Sequence, residues 1–415
     1  MALSDVEVVI VGGGAAGLAA GRRLSDTAIR FLVVEARPRL GGRAWTVTEP
    51  PGLAIDLGCG WLHSADRNPW SDIAVAQGRQ IDRAPPPWMR PSLTHGFPLT
   101  EQRQFLEASR AFYERVDEAE CAPDRAAATL LQPDGRWNGL IVAVNTFVTG
   151  AELERVSVHD LARYHDSGVN WRVVEGYGTT ISAYGADLPV MLDCPVLRID
   201  HSGPRLRIET GKGTITADQA IVTVPTSVLA NEELFAPALP HKADAAAGLP
   251  LGLDDKMFLS LEDAEEFEKD SRLFGRTDRA GTGAYHLRPF GRPQIEAYFG
   301  GTLACDLEAG GARAFFDFAV SELVGQLGSD FARRLTPISV HRWGADPFAR
   351  GSYSYALPGK ADSREVLAAP VDGRLFFAGE ACSRHDFSTA HGAWFTGVAA
   401  VEQVIAARQG QRLPG

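Results

Sequence analysis

The strongest hydrophobic signal in the chain is the unbroken run Val8-Val9-Ile10-Val11. A strand with one wet face alternates, so this run predicts a strand covered on both faces, as in a parallel sheet. Phe31-Leu32-Val33-Val34 repeats the signal, and the residues between, with Ala15, Ala16, Ala19, Ala20 and Leu24, suit a helix pressed closely on that sheet. Ala220–Val224 reads as a further buried strand, stopped by Pro225. Val196–Ile199, Arg205–Glu209 and Gly213–Ala217 predict short antiparallel strands, with turns at Ser202-Gly203 and Gly211–Gly213. Residues 84–98 are proline-rich and predict a surface connection. From about 100 to 165 the period becomes helical, with Phe105, Leu106, Ser109, Phe112 and Tyr113 on one face. Gly176–Thr180 is expected to precede a helix. In Leu251–Leu261, Met257, Leu259 and Leu261 face one way and Phe258 the other, a strand entered by a lone cation, Lys256. Arg374–Gly379 reads as a strand ending in a turn, with a helix beginning near Ala390.

Between the first two strands lies Gly12-Gly13-Gly14-Ala15-Ala16-Gly17, and the second strand ends in Glu35. Strand, GxGxxG, helix, strand and terminal acid make a dinucleotide-binding fingerprint. Gly12 permits the tight turn, Gly14 lets backbone approach a pyrophosphate, and Gly17 allows close helix–sheet contact. The helix N-terminus, around Ala16, offers amides and the positive end of its dipole to phosphate. Glu35, with Ala36 beside it, would accept hydrogen bonds from ribose hydroxyls. The fingerprint does not separate NAD from FAD.

Composition narrows the function further. The chain has 415 residues, 52 acidic against 41 basic, for a formal net charge of −11. Clustered Lys and Arg carry nucleic-acid affinity, so a nucleic-acid partner is not expected. The five cysteines (Cys59, Cys121, Cys194, Cys305, Cys382) are scattered without a CxxC pair, which predicts reduced thiols and neither a disulfide framework nor a metal site. The N-terminus lacks the basic region of a signal peptide, and no apolar stretch is long enough to span a bilayer. A soluble, cytoplasmic protein is expected, as monomer or homodimer.

Glu35-Ala36-Arg37-Pro38-Arg39-Leu40-Gly41-Gly42-Arg43 matches E-x-x-x-R-x-G-G-R, and with it the sequence resembles the flavin-containing amine oxidase superfamily. Three further blocks carry the resemblance: Asp56-Leu57-Gly58-Cys59-Gly60-Trp61-Leu62-His63; Trp343 to Tyr355, with Asp346-Pro347 and Gly351-Ser352-Tyr353-Ser354-Tyr355; and Phe377-Ala378-Gly379-Glu380 followed by Thr389-Ala390-His391-Gly392-Ala393. The block from Trp343 to Tyr355 is similar to that of the polyamine oxidase and lysine-specific histone demethylase branch. The resemblance implies an α/β fold: a Rossmann-like FAD-binding domain of residues 1–75, 171–245 and 366–415, interleaved with an α+β substrate-binding domain of residues 76–170 and 246–365. It implies FAD as cofactor. Gly42, Arg37 and Arg43 would lie against the diphosphate and flavin, Gly58, Gly60 and Trp61 beside the isoalloxazine ring, and Val196 at the adenine. Gly379 and Glu380 would meet the ribityl–phosphate region, with the helix from Ala390 aimed at flavin C2=O.

The same resemblance implies two-electron oxidation of the C–N bond of a small-molecule amine, with dioxygen reduced to hydrogen peroxide. Lys256 matches the lysine that holds a water at flavin N5. Ser352 stands where monoamine oxidases carry a flavin-bonded cysteine, so the FAD is expected to be non-covalent. Tyr353 would form one wall of the substrate cage, with Thr389 opposite, and His63 would meet a substrate nitrogen. An L-amino-acid oxidase would need an arginine for the carboxylate, with Arg90, Arg288 and Arg342 as candidates, and a desaturase-type dehydrogenase shares the fold. Histone demethylation would need further helical modules that this chain has no room for.

Overall fold

The computed structural model describes residues 6–49 and 52–411; the opening residues, read above as lacking a basic leader, lie in part outside them. The β-branched opening run forms the strand Val6–Val11, buried as a continuous apolar run must be. It pairs in parallel with Phe31–Val34 on one side and with the long strand Gly213–Val222 on the other. Across the sheet the order is Phe235–Ala236, Val196–Asp200, Leu206–Thr210, Gly213–Val222, Val6–Val11, Phe31–Val34 and Val190–Met191, with Leu375–Phe377 also on Gly213–Val222.

Gly213–Ala217 and Ala220–Val224, expected as separate strands, form one strand, Gly213–Val222, which ends two residues short of the expected stop. Its first half pairs antiparallel with Leu206–Thr210, and its second half lies parallel between Val6–Val11 and Leu375–Phe377. The change of neighbours explains the change of pattern, from alternating to wholly apolar. Helix Ala15–Ser25 covers one face together with helix Ala390–Gln411, through Ala16, Ala20, Ala393, Ala400 and Val404. They approach at Gly397, where a Cβ would collide with the carbonyl of Ala16.

A second sheet, wholly antiparallel, runs Ser271–Phe274, Ala284–Leu287, Gln294–Gly300, Asp254–Leu261, Leu335–Val340. Helix Gly301–Leu327, interrupted at Gly311, packs on it through Phe315, Ala319 and Leu323. Met257, Leu259 and Leu261 enter this core while Phe258 packs with Ile55 and Leu57, as their alternation requires.

The helical segment contains Leu99–Glu118, Asn138–Thr149 and Val158–Arg163. Its buried stripe is narrower than expected: Phe105 and Phe112 are buried, whereas Leu106 is exposed and Tyr113 partly so. Phe105 and Phe112 are seven residues apart and stack in line; their C-terminal neighbours are turned about 100° away. The proline-rich connection is not simply superficial, since Pro87 and Phe97 are buried around the short turn Pro87–Met89. Helix Tyr177–Tyr184 begins inside Gly176–Thr180 rather than after it. Gly178 lies so close to the backbone of Trp45 and Thr46 that only glycine fits there. Among the described residues no helix is long and apolar enough to cross a membrane, and no group of acids, histidines and cysteines is arranged to hold a metal.

Candidate active site

The fingerprint turn divides its glycines by job. Gly12 sits at φ 112°, and a Cβ there would lie 2.5 Å from Thr223 Oγ1. A Cβ at Gly17 would collide with the carbonyl of Gly12. Gly14 is different: a Cβ would meet nothing nearer than Gly42 Cα at 3.9 Å, and no side chain caps the helix it begins. Open space in front of uncapped amides is what a diphosphate needs. Glu35 is buried, with Oε2 accepting from Gly13 N at 2.7 Å and Oε1 from Arg37 N at 2.8 Å. Each oxygen keeps a lone pair for a hydroxyl. Backbone bonds from Cys194 N to Glu35 O and from Asp193 N to Arg37 O bring the strand that starts at Val196 alongside Glu35 and Ala36. These residues fit a dinucleotide.

Arg37 and Gly58, expected at the cofactor, make contacts with other parts of the chain. Arg37 gives its guanidinium fork to Asp346, both bonds at 2.7 Å, and so joins the Glu35 loop to the Trp343–Tyr355 segment. A planar fork matches a carboxylate as well as a phosphate, and sequence cannot choose between them. Gly58 makes room for the carbonyl of Arg43 and the ring of Trp343, rather than for an incoming ring. Gly60 borders Lys256: a Cβ there would lie 3.4 Å from Nζ.

Arg43 Nη1 donates to Ser352 O at 2.6 Å and Glu380 Oε1 at 2.9 Å, and its Nε and Nη2 make no hydrogen bond among the described residues. Glu380 is buried, and its oxygens also accept from Ser354 N, Ser354 Oγ and Ser388 N. Burial opposes its charge, but Arg43, Ser354 and Arg364 hold the carboxyl below its ordinary range. Gly379, at φ 139°, has no heavy atom within 4 Å of where a Cβ would stand, which leaves open space beside that carboxylate. Ser352 Oγ accepts from Asp254 N at 2.9 Å and donates to Asp254 O at 2.8 Å.

Lys256 is buried but not a lone cation. Nζ donates to Glu296 Oε1 at 3.1 Å, and it lowers the proton affinity of Asp56 and Asp254. Burial still raises both of those carboxyls, Asp254 well above the ordinary range. Asp56 accepts from Thr46 Oγ1 at 2.5 Å and from the amides of Tyr177 and Gly178. Asp56 belongs to the Asp56–His63 block, whereas Asp254 and Glu296 carry no motif of their own. The trace of Glu296 is the alternation Gln294-Ile295-Glu296-Ala297-Tyr298, which reads as a wet face outside and here lies on the side of Lys256.

Tyr353 donates from its hydroxyl to Phe147 O at 2.5 Å, and burial, then the neighbouring Asp254, raise the phenol well above its ordinary range. His63 is held by Asn170, whose Oδ1 lies 2.6 Å from Nδ1 while its amide nitrogen donates to Gly168 O. Nδ1–H therefore donates and Nε2 carries the lone pair. Burial lowers the proton affinity of this imidazole, against the pull of Asp166 and Asn170. Trp61 lies over Arg172, edge-on to Trp88 at 4.5 Å and 6.4 Å from the ring of His286. Trp88, from the proline-rich connection, is thereby brought beside Trp61 and His63. Thr389 is committed to backbone: Oγ1 accepts from Gly392 N at 2.9 Å and donates to Asp386 O at 2.6 Å. It caps the helix that begins at Ala390.

A parallel-sheet cradle for a dinucleotide, set against an antiparallel sheet that carries a buried lysine, defines a cofactor-dependent oxidoreductase. The family model "Flavin containing amine oxidoreductase" matches residues 123–405, and an "NAD(P)-binding Rossmann-like domain" matches residues 10–75. The chain belongs to the flavin-containing amine oxidoreductase family. It is 29% identical to Polyamine oxidase 2 of Arabidopsis thaliana, covering 95% of this chain and 87% of that protein. It is 30% identical to Probable polyamine oxidase 4 of the same plant, covering 95% and 86%. Lysine-specific histone demethylase 1 homolog 3 of Oryza sativa subsp. indica is 29% identical over 94% of this chain, but only 53% of that longer protein is covered.

Proposed function

We propose that the protein is an FAD-dependent oxidase of primary or secondary amines, polyamine-like or aralkyl, working on small molecules in the cytoplasm. The observation that carries the reading is Lys256, buried on an interior strand with its ammonium against Gly60, in a chain with a complete dinucleotide cradle. FAD, when bound, supplies a two-electron acceptor that takes a hydride at N5 and passes the electrons to dioxygen, giving hydrogen peroxide. The chain's own residues bind and orient. The amides at Gly14–Gly17 and the free Nε and Nη2 of Arg43 hold the diphosphate, and Glu35 the ribose. Lys256 holds a water with its ammonium, Tyr353 walls the amine, and the lone pair of His63 Nε2 accepts an amine N–H.

Resemblance and sheet membership support the division into a cofactor domain (1–75, 171–245, 366–415) and a substrate domain (76–170, 246–365). Amines are favoured over α-amino acids because two candidate carboxylate clamps give both Nη atoms to backbone carbonyls, Arg90 to Lys269 and Asp270 and Arg288 to Phe267 and Gly291, and the third, Arg342, is exposed. The test is a peroxidase-coupled panel of di- and polyamines, arylalkylamines and L-amino acids, with anaerobic flavin bleaching alongside. Amines are expected to bleach the flavin and release peroxide. Flavin that stays oxidised with every amine and bleaches with an L-amino acid overturns the reading.

A further inference from the structure

A line of buried ionisable side chains extends behind Lys256, and the oxidase chemistry above does not use it. Lys256 pairs with Tyr298 across the antiparallel sheet, so Glu296 is its diagonal neighbour on the same face. Glu296 stands directly opposite His286 on the next strand. Lys256 Nζ is 3.1 Å from Glu296 Oε1, and Glu296 Oε2 is 3.7 Å from His286 Nδ1. His286 Nε2 is 3.0 Å from Asp270 Oδ1, which accepts from Arg172 Nη2 at 2.7 Å. None of the five is more than 7% exposed.

Several acids surround the ammonium, but Glu296 is the one that bonds it. Asp56 turns its oxygens to Thr46 and the amides of Tyr177 and Gly178. The ammonium also lies 5.7 Å and 5.8 Å from the ring centroids of Phe258 and Tyr298. The cleft beside the pair is lined by Gly60, Trp61, Arg172, Gln294 and Glu296, and Arg172 Nη1 and Gln294 Nε2 are buried with no hydrogen-bond partner among the described residues. A four-carbon stem next to such a cleft has rotamers to choose from, and one strong ion pair decides among them. Burial works against the charge of Glu296, yet Lys256 and His286 hold its carboxyl well below the usual range. Asp270 is held down in the same way, by His286 and Arg172 against burial.

We propose that Glu296 is the positioning residue of Lys256, fixing the ammonium beside Gly60 through one oxygen while His286, backed by Asp270 and Arg172, secures the other. The proposal rests on the flavoenzyme reading but needs no amine substrate. Its test therefore uses FAD-loaded protein reduced by light. Reoxidation by dioxygen is followed by stopped flow for wild type, Glu296→Gln, Glu296→Asp, Lys256→Met and the double variant Lys256→Met/Glu296→Gln. The visible bands of the oxidised flavin are read without turnover.

Glu296→Gln is expected to slow reoxidation by at least half as much, on a logarithmic scale, as Lys256→Met. Its flavin bands should move in the same direction as those of Lys256→Met. Glu296→Asp, which keeps the charge, should recover most of the rate, and the double variant should be no slower than Lys256→Met alone, because coupled residues are not additive. A Glu296→Gln rate equal to wild type, or a double variant showing the full product of both losses, overturns the proposal. If amines fail to bleach the flavin while this coupling holds, the substrate reading falls and the positioning role stands. Should Glu296→Gln not fold, His286→Asn in the wild-type and Lys256→Met backgrounds carries the same comparison.

Discussion

At the scale of single residues, the groups that matter most are acids in places where water cannot reach them. Asp255 is fully buried, and its Oδ1 accepts from Trp343 N at 3.0 Å. Burial and the neighbouring Glu308 push its carboxyl up to about 9. An unfolded aspartate loses its proton near pH ~4. Between that pH and about 9 the folded chain therefore holds a proton that the unfolded chain has released, so stability falls as pH rises through this window. Asp255→Asn keeps the bond to Trp343 and removes the titration. Its melting temperature is expected to decline less than that of wild type between about pH 6 and about pH 9. Parallel slopes in a calorimetric series across that range would place the proton elsewhere.

At the scale of elements, each motif acts through the end of a strand or a helix. The opening strand, turn and helix were legible because every requirement is local: an apolar run, glycines where backbone approaches backbone, and small residues along one helix face. The cap on the last helix was not legible in this way. Thr389 reads as a cage wall by motif, and in the structure its hydroxyl closes the first turn of the helix from Ala390. The two jobs make different demands. If capping is the main one, Thr389→Val costs about 1 kcal/mol of stability while Thr389→Ser is close to neutral, since serine supplies the same oxygen. Thermal unfolding of both variants checks this, and equal losses in the two would count against a capping role.

At the scale of the whole molecule, distant segments are tied through buried ion pairs. Arg37–Asp346 joins the cofactor loop to the segment after the second sheet. Arg364 reaches Asp160 and Ser354, while Ser354 and Arg43 converge on Glu380. Removing one partner of such a pair leaves a stranded charge, typically costing about 3–5 kcal/mol. The tie to Ser352 also bears on the cofactor. Its hydroxyl is closed on the backbone of Asp254, and burial, with Asp56, pushes the thiol of nearby Cys59 up to about 12, where it stays protonated. FAD is accordingly expected to leave with the supernatant when the protein is precipitated by acid or heat. Yellow colour retained in the washed pellet would show a covalent bond.

The sequence by itself determined the parallel-sheet cradle, the strand that carries Lys256 and the order of the motif blocks. These follow from periodicity and from glycine's missing side chain, which act over a few neighbouring residues. It also singled out Arg37, Glu380 and Lys256, but not what they touch. Arginine binds phosphate or carboxylate with the same fork, and the choice was made by Asp346, which lies 309 residues away along the chain. Glu296 and His286 read as the polar side of ordinary strands until the sheet register set one diagonal to Lys256 and the other opposite Glu296. Pairing register and interdomain packing depend on contacts between segments far apart in the chain, and those only the tertiary structure decided.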